Sequence, residues 1–254
     1  MMRALLICLF TLLPGLLASE EVVLGLSSDK VAITTSFDGS EILIFGAVKR
    51  EEPIPTGAPL GVVITVAGPS KPVVVRRKEK RFGIWVNIDT VEVDAAPSFY
   101  AVASSAPLDE VLSDVEDLRS KISIDRAIRS VGAPSNIMDS ASFTEAVIRI
   151  RKEADLYQLL EGQVAVDEQT LFRTAIKLPA NLTEGDYATR IFLTRDREVI
   201  SQYETKIDVR KVGLERWLFT MSRENALLYG LMSLTIAIVA GWGASAAFQL
   251  FRQS

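Results

Sequence analysis

Histidine is absent from all 254 residues, and cysteine occurs once, at Cys8. Without histidine there is no Ser-His-Asp triad, no histidine-bound zinc or copper and no histidine-ligated haem. One cysteine provides no Cys-X-X-Cys pair for redox or iron–sulfur work, and no internal disulfide. The sequence also has no GxGxxG, no phosphate-binding P-loop and no EF-hand loop. A basic excess is missing too. The net charge is −4, and nothing in the composition points to nucleic acid. Carboxylates remain available for acid–base work, but most alternate with apolar residues or flank turns, as on solvated faces. No catalytic residue, metal site or cofactor is therefore expected, and the chain is not expected to be an enzyme. An anchored hydrolase using paired carboxylates is a third alternative.

The two ends of the chain are apolar. Residues 1–19 place Arg3 before an uncharged run from Ala4 to Ala18, which is the pattern of a secretory signal. Its apolar run is short for a bilayer span, which needs about 20 residues. Cys8 lies inside it and lacks the small residues that a lipoprotein site wants before it. Cleavage would remove Arg3 alone among the charges and would take away the only cysteine, leaving core burial to hold the exported part together. Residues 226–251 carry no charge and are expected to cross the membrane as one helix, with Tyr229 and Trp242 as interfacial rings. Orientation presents a conflict. Arg210, Lys211, Arg216 and Arg223 precede the span and only Arg252 follows it, which locally favours a cytoplasmic body. The signal favours export and is given precedence, because the first hydrophobic segment usually dominates and long domains translocate regardless of charge. The expected protein is single-pass in a bacterial inner membrane, with a periplasmic N-terminal domain and a short cytoplasmic C-terminus.

Between the ends the pattern is mainly β. In residues 20–106, VAITT and EILIFGAV flank Asp38-Gly39, a hairpin signal. LGVVITVAG, KPVVVRR, IWVNI, VEVDA and SFYAVASS follow, with Gly and Pro punctuation. Residues 107–162 change period. Leu108, Val111, Leu112, Val115, Leu118 and Ile122 recur at helical spacing. SIDRAIRSVG reads as a shorter helical piece. Ser142-Phe143-Thr144-Glu145 fits a capping box opening a second helix with Phe143, Val147, Ile150, Ala154 and Tyr157 on its apolar face, ending near Gly162. Strands resume over 163–213 as TLFRTAIKL, DYATRIFLTR and EVISQYETKIDV. Tyr187, in LPANLTEGDY, is a candidate corner tyrosine of an immunoglobulin-like sandwich. Asn181-Leu182-Thr183 is a glycosylation sequon, meaningful only where asparagine is glycosylated. The expected fold is an immunoglobulin-like β-sandwich with an inserted helical hairpin, followed by a juxtamembrane segment over 214–225 with Trp217 at headgroup depth. Two separate small domains are the alternative.

The densest positive charge lies in VVVRRKEKRFGIWVN. Strand alternation puts Val73, Val75, Arg77 and Glu79 on one face and Val74, Arg76, Lys78 and Lys80 on the other. Charge on both faces predicts a strand that leaves the core, turns near Arg81 to Gly83 and returns through Ile84, Trp85 and Val86, with Trp85 anchored in the core. Arg76, Arg77, Lys78, Lys80 and Arg81 are candidate contacts for an anion, a headgroup or a partner, with Arg76 and Arg77 as direct donors. The plainer alternative is an edge strand whose cations prevent sheet-to-sheet association. In the span, Ser233, Ala237, Ala240, Ala244 and Ala247 share one helical face, with Gly241 and Gly243 beside it. Such a face permits close helix packing in lipid, although small residues are also simply common in membrane helices.

VVVRRKEKRFGIWVN, followed by PSFYAVASSAPL and preceded by SFDGSEILIFGAVKR, resembles the alphaproteobacterial putative transmembrane protein family. The resemblance runs from the signal to the C-terminal span. It implies an inner-membrane protein with an exported domain, encoded beside a sulfite-exporter-like permease. It assigns no activity and no catalytic residue. The favoured expectation is a membrane-anchored accessory protein contacting lipid and an integral membrane partner. The alternative is an anchored solute-binding module that takes a small anion through the basic hairpin.

Overall fold

The computed structural model describes residues 20–33, 39–50, 53–54, 57–130, 139–211 and 214–252. The signal-like residues 1–19 with Cys8, Asp38, and the proline-containing loop between the helices lie outside the described residues. The body is built from strands β1 (Glu21–Leu26), β2 (Lys30–Ile33), β3 (Ser40–Lys49), β4 (Gly61–Ala67), β5 (Ser70–Arg81), β6 (Ile84–Pro97), β7 (Tyr100–Ser104), β8 (Tyr157–Leu160), β9 (Ala165–Asp167), β10 (Leu171–Leu178), β11 (Gly185–Arg195) and β12 (Glu198–Lys211). One sheet has the order β1-β3-β10-β9, a second has β2-β12-β11-β4-β7-β8, and β5 and β6 form a separate two-stranded ribbon. These are the two sheets of an immunoglobulin-like sandwich, with β4, β11 and β12 in the places of strands C, F and G. Strands from before and after the helical segment pair with one another in both sheets, β3 with β10 and β4 with β11, so they share one sandwich.

Alternation in the sequence explains the layers. Along β10, Phe172, Thr174, Ile176 and Leu178 are buried and the residues between them are exposed, which leaves the outer face of the four-stranded sheet to solvent. GVVITVA in β4 is different, because the strand is buried on both faces. Its Val62, Ile64 and Val66 join the core between the sheets. Val63 joins a second core with Phe192, Tyr100, Val93 and the helices. The Tyr187 hydroxyl donates to the Thr183 carbonyl at 2.7 Å, closing the corner that LPANLTEGDY suggests.

The strands on either side of Asp38-Gly39 do not pair with each other as a hairpin. β2 pairs in parallel with β12 in one sheet, whereas β3 pairs with β1 and β10 in the other. The first edge of the chain switches sheets, so a local turn signal is overridden by pairing with a strand far along the sequence. IWVNI and VEVDA are likewise one continuous strand, β6, with a register shift opposite Arg77/Lys78.

The helical segment is not a two-helix hairpin. It comprises α1 (Leu108–Val111), α2 (Asp114–Ser120), α3 (Ile124–Ala127) and α4 (Ala141–Glu153). The periodic run from Leu108 to Ile122 breaks at Leu112, which is extended. Ser113 then caps a new helix by accepting from the Glu116 amide at 3.4 Å, and the Asp117 carboxylate receives the Ile122 and Ser123 amides. Leu112 and Ile122 remain buried, but Val115 and Leu118 turn to solvent. The Ser142–Glu145 capping box is absent too. The helix opens at Ala141, and Ser142 Oγ donates to the Asp139 carbonyl instead. It ends at Glu153 rather than near Gly162. Ile150 is exposed, and Tyr157 belongs to β8, which pairs in parallel with β7. A left-handed Asp155, at φ 57°, redirects the chain into the sheet. Burial pushes the Tyr157 phenol up to about 12, and its hydroxyl donates to the Pro97 carbonyl at 2.8 Å.

After β12 come α5 (Leu214–Glu224) and α6 (Ala226–Arg252). Trp217 and Phe219 are exposed on α5 and Met221 is buried. Asn225 separates the two helices, but its amide still bonds to the Met221 carbonyl.

Candidate functional site

The β5–β6 ribbon is the most prominent exposed feature of the body. Its root is fixed by the sheet. Ala67 pairs with Ala188 and Gly185 pairs with Val209. Pro69 packs so close to Gly185 that a Cβ there would meet it at 2.9 Å. The ribbon therefore leaves the six-stranded sheet at the end where β12 runs out toward α5. Near the root, Val73 and Val75 pack on the second core and Val91 and Val93 are fully buried.

Register sorts the ribbon into two faces. On one, Val75 opposes Val91, Arg77 opposes Asp89, and Glu79 opposes Val86. Arg77 is occupied within the protein. It reaches Asp139 at 3.0 Å, Asp89 at 3.7 Å and Ser142 Oγ at 2.6 Å, and its guanidinium lies 4.6 Å from the Phe143 ring centroid. Ser142, and then Arg77, hold the Asp139 carboxyl below its usual range. Arg81 pairs with Glu79 at 3.0 Å. On the other face Arg76 opposes Thr90, Lys78 opposes Asn87, and Lys80 opposes Trp85. Arg76, Lys78 and Lys80 make no ion pair with any described residue. The two adjacent arginines proposed as joint donors thus point to opposite sides, and only Arg76 faces solvent.

Trp85 is not anchored in the core. It is 67% exposed, Ile84 is 64% exposed and Phe82 is fully exposed. The α4 side chains reach the ribbon as far as Arg77, and the four pairs from Lys78–Asn87 to Arg81–Ile84 carry the tip about 13 Å further. The core resumes only at Val91, too far back to receive Trp85. Phe82 and Gly83 turn the chain with φ values of 51° and 85°, the two positive values of a type I′ hairpin. The turn falls where the sequence places it, within Arg81 to Gly83, but Phe82 is not singled out there as an exposed tip residue, because phenylalanine is not a turn residue. Only its position before Gly83, between two apolar-and-basic strands, hints at a tip.

The second candidate is α6. From Ala226 to Ser245 it is long and apolar enough to cross a membrane, and none of its residues is buried. Ser233, Ala237, Ala240, Gly241, Gly243 and Ala244 are exposed along it, and nothing lies within 4 Å of a Cβ added at either glycine. The Ala247 side chain lies outside those described.

A third feature had no signal in the sequence. Nearly buried Glu20 accepts from Arg50 Nε at 2.7 Å and Arg195 Nη2 at 3.0 Å. Arg50 also reaches the Gln169 carbonyl, and Arg195 the Ala58 carbonyl at 2.6 Å. This cluster sits beside a surface cavity of about 590 Å³ that includes Thr194 and Arg197. It joins the start of β1 to both sheets. Among the described residues no group of three or more His, Cys, Asp or Glu could hold a metal.

Over residues 21–250 the chain matches the family described as "Putative transmembrane protein (Alph_Pro_TM)". The chain belongs to this family. In the transmembrane family the matched region opens at the first residue of β1 and ends within α6, so it takes in the sandwich, ribbon, helices and span together. Family and helix agree on a membrane location with one candidate C-terminal span. No curated protein matches the chain.

Proposed function

We propose that this protein is a membrane-anchored accessory protein, with its sandwich exported to the periplasm and its span packed beside a multi-span partner such as a sulfite-exporter-like permease. One observation carries the reading. The uncovered α6 places Ser233, Ala237, Ala240 and Ala244 on one face, where small side chains let a second helix approach closely in lipid. Replacing Ala240 and Ala244 with leucine keeps the span hydrophobic but blocks that approach. Membrane insertion is expected to persist while copurification of the partner from native membranes falls. Unchanged copurification would sink this reading.

A second reading, capture of a small anion, draws support from Arg76, Lys78 and Lys80 on one ribbon face. Those cations are spread along an open strand, however, whereas two cavities among the described residues lie elsewhere, around Lys177 and around Arg195. An extended negative surface matches the spacing better than a single small ion.

A further inference from the structure

We infer that the outer half of the β5–β6 ribbon is a second membrane contact, docking on the anionic headgroups of the bilayer that holds α6. It rests on the reading of α6 as a membrane anchor but not on the existence of a protein partner. Three independent observations converge.

The first is sidedness. From Arg76 to the tip one face presents Arg76, Lys78 and Lys80, crossed by Thr90, Asn87 and Trp85, with no acid among them. Acids on the ribbon's other face are matched within the protein, Asp89 by Arg77 and Glu79 by Arg81. The neutralised face is the one turned toward α4. A row of lysines and an arginine is attracted to acidic lipid, and more strongly as several act together.

The second is the tip. Phe82, Ile84 and Trp85 are all exposed at the end of the ribbon, with Trp85 on the basic face opposite Lys80 and Ile84 on the other. Phe82 holds a left-handed conformation at φ 51°, which a bulky side chain adopts at an energetic cost, yet it packs on nothing that would repay it. A polar Asn-Gly turn would serve folding better. Aromatic rings beside cations suit the headgroup boundary, where the ring enters the acyl edge and the charge stays with phosphate.

The third is placement. The ribbon root, Gly68-Pro69, packs against Gly185 at the end of the sandwich from which β12 leads to α5 and the span. The contact thus springs from the anchor side of the body. Docking there would give the domain two membrane points, the helix and the ribbon, and limit its rotation about α6.

The test uses the full chain carrying W217F and W242F, so that Trp85 alone reports. It is reconstituted into phosphatidylcholine vesicles with or without phosphatidylglycerol, with brominated acyl chains as quencher. With phosphatidylglycerol, Trp85 emission should shift to the blue and be quenched by bromolipid, and added salt should reverse both. In phosphatidylcholine alone it should stay red and open to iodide. Adding R76Q, K78Q and K80Q should abolish the difference between the two lipids. Phe82→Asn, which suits the left-handed turn and cannot unfold the ribbon by strain, should weaken quenching while circular dichroism is unchanged. Red, iodide-quenched Trp85 in both lipids overturns the proposal. So does protection by inorganic phosphate or sulfite without bromolipid quenching, or protection only when native membrane proteins are present. Each of these results would leave the helix-packing test of α6 unaffected.

Discussion

Glu20 joins three segments that nothing in their sequences relates. Its Oε1 carries both Arg50 and Arg195, so removing the carboxylate strands two nearly buried guanidiniums near one another. Breaking a buried pair on one side typically costs about 3–5 kcal/mol. Glu20→Ala is therefore expected to lower the urea midpoint of the full chain in detergent by an amount of that order, with Glu20→Gln less damaging because it keeps hydrogen-bonding capacity. Wild-type stability in both variants would remove the cluster from the account of the fold. The same scale shows why Arg77 and Arg76 differ although they are neighbours. A pleated strand sends them to opposite faces, one toward Asp139, Ser142 and Phe143, the other to solvent.

At the scale of elements, the ribbon depends on α4 for its direction. Four partners converge on half-buried Arg77: Asp139 through a hydrogen-bonded ion pair, Asp89 through a longer ion pair, Ser142 through a hydrogen bond and the Phe143 ring. Partly exposed contacts of this type are each worth about 0.2–1 kcal/mol. Arg77→Ala should cost about 1 kcal/mol globally, but it should loosen the ribbon much more, because the pairs beyond Lys78 have no other support. Hydrogen exchange of β5 and β6 outward of Arg77 should accelerate while β4, β10 and β11 stay protected; uniform acceleration would mean that the residue supports the whole core instead. The helical segment shows how element boundaries escaped the sequence. Leu108 to Ile122 has an apolar period, yet Ser113, Asp117 and Lys121 offer caps and a left-handed turn inside it. Burial of Leu112 and Ile122 in the second core made those stops preferable to one straight helix.

For the whole molecule, the arrangement proposed has the sandwich outside the cytoplasm, a single span and a short tail inside. A reporter that is active only outside the cytoplasm should work when fused after Gly213 and be silent when fused at Ser254. Activity at both junctions or at neither would exclude it. This outcome decides the conflict between the signal-like first residues and the cations at Arg210, Lys211 and Arg223, which favour opposite orientations.

Taken alone, the sequence determined the properties that depend only on neighbours along the chain. A long uncharged stretch over 226–251 must leave water. The absence of histidine removes whole classes of catalysis. Alternation along TLFRTAIKL specifies a half-buried strand, and DYATRIFLTR, with Tyr187 at its corner, a further strand of the sandwich. The turn at Phe82-Gly83 was also legible in position, because charge entered both faces of β5 after Val75. Tertiary structure decided what depends on distant partners. It moved β2 out of a local hairpin to lie along β12. It took Tyr157 from a helix face into β8, and it left Trp85 in solvent because, among the described residues, no part of the body extends beyond Arg77 to cover it. The Glu20–Arg195 bond spans 175 positions. No local pattern encodes such a contact, because the loops that bring its two ends together are set by the pairing of the sheets and not by the residues beside either end.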